Sequence, residues 1–158
     1  MQHKVDIACL TETWLNDDIP DEIVNQNGYI TARNDRKGKW GGGVCVLIRD
    51  DIPHYMWSEL VDDEFETLWV TLRPPKIPRK YSHITIGVIY HPPKANNWRM
   101  TQHINKCVDT IIQKHPSTGI FITGDLKHFK ENTIRSSYDL KQTVTKIFTC
   151  SQIHESRT

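Results

Sequence analysis

Three apolar runs in this 158-residue chain end in side chains able to do chemistry. Val5 to Leu10 leads into Thr11-Glu12-Thr13, Ile84 to Ile89 into Tyr90, and Gly119 to Thr123 into Gly124-Asp125. In open α/β architectures ligands gather outside the carboxyl ends of strands, so an acid, a phenol and a second acid would meet in one cleft. Two carboxylates brought close together repel unless a cation lies between them, and oxygen donors select a hard divalent ion, Mg²⁺ or Mn²⁺. An ion held there polarises a phosphoryl oxygen, while the phenol stabilises charge or orients water. Taken singly, an acid after a strand is an ordinary turn or cap residue. Recurrence at three strand ends makes Glu12, Tyr90 and Asp125 the catalytic candidates, with Glu12 and Asp125 as the metal ligands.

Those side chains need strands to carry them, and the apolar patterning supplies strands. Val5 to Leu10, Tyr29 to Ala32, Val44 to Ile48, Leu68 to Leu72, Ile84 to Tyr90 and Gly119 to Thr123 are short, rich in Val and Ile, and bounded by Gly, Pro or Asn. Their nearly continuous apolar character predicts strands buried on both faces. One long helix is expected over Met100 to His115, where Ile104, Val108, Ile111 and Ile112 form a stripe behind Thr101 as N-cap. A short helix is expected after Pro20, near Asp21 to Asn25, and Ser136 to Thr145 reads as a helix or an irregular strand. The fold class is α/β, with many strands and few helices. Residues 1–145 read as one domain, and 146–158 as a divergent, disordered polar tail.

Composition adds exclusions rather than a function. Twenty Lys+Arg against nineteen Asp+Glu leave +1, so attraction to a polyanion must come from local patches. Arg33, Arg36, Lys37 and Lys39 crowd one loop against the single acid Asp35, and Arg73, Lys76, Arg79 and Lys80 fill another that has no acid. Either loop would suit a phosphate backbone, and either would equally serve as a solvated face. Trp40 beside the first loop would stack on a base or close the turn. Gly38-Lys39 is followed by Trp40 rather than Ser or Thr, which excludes a P-loop, and Gly41-Gly42-Gly43 reads as a hairpin turn. The eight histidines have no zinc-type spacing, and no Ser or Cys nucleophile is marked by its neighbours; His91 and His128 merely lie near the candidate site. Cys9, Cys45, Cys107 and Cys150 form no C-x-x-C pair and read as reduced thiols, which favours a nuclear or cytoplasmic location over secretion.

The motifs together resemble a known family. Asp6 to Leu15 (DIACLTETWL), Gly41 to Arg49 (GGGVCVLIR), Glu66 to Val70, Val88 to Pro93 (VIYHPP) and Ile122 to Leu126 (ITGDL) occur in the order seen in the endonuclease/exonuclease/phosphatase superfamily. More narrowly, they resemble the apurinic-type endonuclease domain of non-LTR retrotransposons, over Val5 to about Thr145. The resemblance implies a DNase I-like four-layer α/β sandwich of two packed mixed sheets. It also implies Mg²⁺- or Mn²⁺-dependent hydrolysis of a DNA phosphodiester, with a fused reverse transcriptase in intact relatives. Glu12 matches the family's metal-binding Glu, Tyr90 its active-site Tyr, and Asp125 the Asp of its Gly-Asp-Phe-Asn motif.

The departures matter as much. Leu126 and Lys127 stand where that motif has Phe and Asn, so a neutral amide becomes a flexible cation. Lys127 would bind a phosphate but cannot accept hydrogen bonds, and it repels a nearby metal. By the same resemblance the chain begins at the family's second strand and stops before the terminal Ser-Asp-His. The expectation is an incomplete domain whose nuclease activity is weak or lost, since acid–base help is commonly worth about 10² to 10⁴ in rate. The competing expectations are a non-catalytic nucleic-acid-binding remnant, using Arg33, Arg36, Lys37, Lys39 and Lys127, and a decayed fragment without function.

Overall fold

The computed structural model describes residues 5–126 and the backbone of one further strand at 144–147. Its elements are β1 (Ile7–Thr11), α1 (Asp21–Val24), β2 (Tyr29–Asn34), β3 (Val44–Arg49), β4 (His54–Met56), β5 (Glu66–Leu72), β6 (His83–Tyr90), α2 (Asn97–Lys114), β7 (Thr118–Asp125) and β8 (Val144–Ile147). A 3-10 turn at Ser58–Leu60 follows β4. The first three strands form an antiparallel sheet in the order β1-β3-β2, and the rest a five-stranded sheet in the order β4-β5-β6-β7-β8. In the larger sheet β4, β5 and β6 pair antiparallel, whereas β7 runs parallel to both β6 and β8. The parallel step from β6 to β7 is made through α2, as parallel neighbours require.

Alternation along the central strands decides the layering. Leu68, Val70, Leu72, Val88 and Tyr90 face the smaller sheet and meet Val44, Val46 and Ile48 of β3. Trp69, Ile89, Ile120 and Ile122 face the other way and pack on Ile104, Cys107, Val108 and Ile111 of α2. Strands buried on both faces are therefore confirmed for β5 and β6. Each such aliphatic side chain contributes about 1.5–3 kcal/mol relative to exposure. Trp69 fits only because residue 87 is glycine: a Cβ there would lie 2.4 Å from the indole Cζ3.

One expectation is corrected: the smaller sheet is antiparallel rather than mixed. Three layers of the implied four are present among the described residues, as an incomplete sandwich would have. α1 has only four residues and buries none, so it cannot act as the missing outer layer. Leu10 and Ile30 remain 45% and 42% exposed. The long helix also starts earlier than its apolar stripe. Asn96 is the N-cap, its side chain accepting from the Arg99 amide at 3.1 Å, while Thr101 lies inside the helix with its hydroxyl donating to the Asn97 carbonyl at 2.8 Å. β8 crosses the expected boundary at 145/146, and the remainder of that tail lies outside the described residues.

Candidate active site

β1 ends at Thr11, and the next residues turn sharply. Glu12 and Trp14 both have left-handed backbones, with φ of 54° and 59°, the only non-glycine residues in that region among those described. A carboxylate or indole side chain gains nothing from this conformation, which costs about 1–2 kcal/mol. The turn persists because the Trp14 amide donates to the Gly42 carbonyl at 3.0 Å, tying the end of β1 to the glycine run before β3. Strain of this kind concentrates at functional sites. Here it aims Glu12 across the sandwich.

Its partner there is Tyr90, at the carboxyl end of β6. The phenol donates to Glu12 Oε1 at 2.6 Å, a bond that spans the two sheets. Burial pushes the Tyr90 hydroxyl up to about pKa 12, with the Glu12 hydrogen bond and charge adding to the rise and Arg36 opposing it. Tyr90 is thus a neutral donor throughout the ordinary pH range. Asp125 ends β7 directly beside Tyr90 in the parallel register. The glycine before it is obligatory: an ideal Cβ on Gly124, whose φ is 130°, would stand 1.9 Å from the Ile89 carbonyl oxygen. The sheet packing brings β1 against both β6 and β7, so all three strand ends meet at one rim of the sandwich.

A second polar group lies beside this trio. Arg36 Nε donates to Glu66 Oε1 at 2.7 Å, and the Gly43 amide donates to Glu66 Oε2 at 2.5 Å. The guanidinium also lies over the Tyr90 ring, 5.4 Å from its centre. Desolvation works against the Arg36 charge, but the hydrogen bond and charge of Glu66 and the Tyr90 contact outweigh it, so its pKa is raised. A Cβ on Gly42 would come within 2.3 Å of Glu66 Oε2, so the glycine run makes room for the ion pair. Asn34 Nδ2 donates to the Thr67 carbonyl at 3.0 Å and holds the end of β2 to the start of β5. Two buried polar atoms here, Arg36 Nη2 and Thr13 Oγ1, have no hydrogen-bond partner among the described residues. Buried donors are rarely left so.

The basic loop divides by function. Arg33 is turned inward: it pairs with Asp21 at 3.1 Å and Asp35 at 3.3 Å and donates to the Ile19 carbonyl, which makes it a brace for the preceding loop. Lys37 pairs with Asp63 at 2.7 Å on the surface. Lys39 is exposed and has no ion pair among the described residues. The second basic loop, from Arg73 to Lys80, connects β5 to the start of β6, about 25 Å of strand away from Tyr90. His91 is buried and engages Asn97 Oδ1 through Nε2 at 2.6 Å, joining the strand end to the start of α2. Lys127 and His128 lie outside the described residues. From sequence, Glu66 was only the first residue of a motif block, without a role; a charge opening an otherwise apolar strand was the available signal.

The donor set bears on a metal. Among the described residues no three His, Cys, Asp or Glu side chains converge in a preformed cage. Two carboxylates at adjoining strand ends are nevertheless what Mg²⁺ commonly uses, since it retains several waters and completes its shell with substrate phosphate. The three described cysteines are desolvated thiols rather than reactive thiolates. Cys9, Cys45 and Cys107 are free, and burial pushes their thiols up to about 11, 11 and 12 respectively.

A sandwich of two sheets with an acid, a phenol and an acid at one rim defines a class. Residues 1–126 match the Endonuclease/Exonuclease/phosphatase family, and the chain belongs to it. Among solved structures it is similar to the endonuclease domain of TRAS1, a telomere-specific non-LTR retrotransposon. That match has 15% identity and a TM-score of 0.48, covering 69% of this chain and 42% of that one. The chain therefore spans less than half the length of that structure. No curated protein matches it.

Proposed function

We propose that this chain is a divalent-metal-dependent phosphodiester hydrolase acting on DNA, of the kind found in non-LTR retrotransposons. The observation that carries this reading is the 2.6 Å hydrogen bond from Tyr90 to Glu12, made between two sheets at the level where Asp125 ends its strand. Glu12 and Asp125 would hold Mg²⁺ or Mn²⁺, which when bound supplies Lewis-acid polarisation of the phosphoryl oxygen. The Tyr90 phenol keeps its proton to about pH 12, so it serves as a hydrogen-bond donor rather than a base. Arg36, held charged by Glu66 and lying over the Tyr90 ring, adds positive charge beside the site that would favour a phosphate. Lys127 stands in sequence where the family motif has asparagine, so a cation replaces a neutral amide two positions after Asp125. This lowers the turnover expected of the site. The free thiols of Cys9, Cys45 and Cys107 favour a reducing compartment, nuclear or cytoplasmic.

The test is nicking of supercoiled plasmid in Mg²⁺, run beside Asp125→Ala and a chelator control. Nicking that disappears in both controls supports the reading. Nicking that persists in Asp125→Ala belongs to another protein and removes the assignment. Lys127→Asn should increase the rate; a decrease would show that the lysine has taken over the role of the amide.

A further inference from the structure

Two tryptophans next to the site are unusual in the way they are presented. Trp14 is 63% exposed and Trp40 89% exposed, although indole rings are normally largely buried. Both line one open cleft of about 440 Å³. Neither is loosely held at its backbone. Trp14 follows Glu12 by two residues in the strained turn, with its amide fixed to Gly42. The Trp40 carbonyl accepts from Arg36 Nη1 at 3.3 Å, and Arg36 is itself anchored by Glu66. The benzo edge of Trp14 passes over Gly41, 3.7 Å from where a Cβ would stand. Both indoles thus open onto the same cleft, which has room for a planar guest.

The lining charges indicate how such a guest is recognised. Arg36, Lys37 and Lys39 line the cleft together with Asp17 and Asp18, but Arg36 is already paired with Glu66 and Lys37 with Asp63. A nearly balanced rim gives little pull on a phosphate chain. Recognition must therefore come from the faces of the rings, which accept any nucleobase and require that it be unstacked from its neighbours.

We propose that Trp14 and Trp40 form a stacking site for an unpaired nucleobase beside the Glu12–Tyr90 pair, so that the chain selects nucleic acid containing single-stranded or frayed nucleotides. This rests on the phosphodiesterase reading for its biological use, but binding is measured without it. Arg36 links the two places, since one guanidinium holds the Trp40 carbonyl and covers the Tyr90 ring. A base stacked on an indole of this cleft would thereby fix which phosphate lies closest to the catalytic candidates.

The experiment is fluorescence titration of the full chain in chelator, with a short single-stranded oligodeoxynucleotide, its duplex, and an abasic strand of equal length and charge. The base-bearing single strand should quench tryptophan emission and bind more tightly than the other two. Trp40→Ala should weaken that binding by about 5- to 100-fold and Trp40→Phe should retain most of it, with little change in the salt slope. Trp40 is so exposed that neither substitution threatens folding, which circular dichroism will verify. Equal affinity for the base-bearing and abasic strands, or unchanged affinity in Trp40→Ala, overturns the proposal. Base-dependent quenching without any plasmid nicking leaves the stacking site standing and removes the hydrolase reading. Nicking without base dependence does the reverse.

Discussion

The two ends of β6 bury polar groups in opposite ways. At its amino end Thr71, Thr85 and Thr118 lie side by side across three strands, with hydroxyl contacts of 2.7 and 2.9 Å, and the Trp57 indole donates to Thr71 at 2.8 Å. This row is neutral, self-satisfying and built on regular strands. At the carboxyl end, a phenol meets a carboxylate, an ion pair lies alongside, two residues are held left-handed, and buried polar atoms lack a hydrogen-bond partner among the described residues. A hydrogen-bonded row that closes on itself specifies register. One that is left open, charged and strained is arranged for something that has yet to arrive.

That contrast can be broken experimentally, and the largest effect falls on catalysis. Glu12→Gln or Asp125→Ala should reduce plasmid nicking by about 10²-fold or more, whereas Thr85→Val should leave it unchanged. A comparable loss from the threonine change would make the two ends equivalent and erase the distinction. Next is the ion pair: Glu66→Ala leaves the Arg36 guanidinium without its principal partner, and urea denaturation should show a loss of about 2–3 kcal/mol. The pair is only partly buried, with side chains 19% and 13% exposed, so a larger cost is not expected. Thr85→Val should destabilise by about 1–2 kcal/mol, because it strips the middle hydroxyl from the row and leaves its neighbours short of partners. If Glu66→Ala proves milder than Thr85→Val, the charged end contributes less to stability than its contacts suggest.

The smallest effect is one of pH. The Tyr90 phenol is raised from its ordinary 10.0 to about 12, so the fold favours its neutral form. Its contribution to stability is fully present below pH 10 and is lost as the pH rises towards 12. A Tyr90→Phe variant should therefore show a shallower alkaline decline than the parent protein in thermal melts across that window. Identical slopes would mean that the phenol is not desolvated as described.

Much of this was legible from patterning, for reasons the structure makes plain. β1, β2, β3, β5, β6 and β7 fall on the six apolar runs because each faces at least one core. β4 escaped notice since three residues, His54–Met56, are too few to show a period and one of them is exposed. The helix start was misplaced because Asn97 and Trp98 precede the apolar stripe, and a cap depends on local backbone rather than on the buried face. Glu12, Tyr90 and Asp125 were readable as strand ends, and their family motif strengthened them. The pairing of Arg36 with Glu66 was not, because it joins residues 30 apart whose contact depends on how the two sheets dock. Arg33 illustrates the converse: composition counts it with the other cations, but only the fold reveals that Asp21 and Asp35 have claimed it.

The contact between Glu12 and Tyr90 closes a stretch of 78 residues. No local segment, and neither sheet by itself, contains both halves of the pair. A nascent chain could build β1 to β3 in full and still lack the centre until β6 and β7 were in place. The proposed turnover thus requires the finished topology, which makes it a stringent reporter of correct assembly.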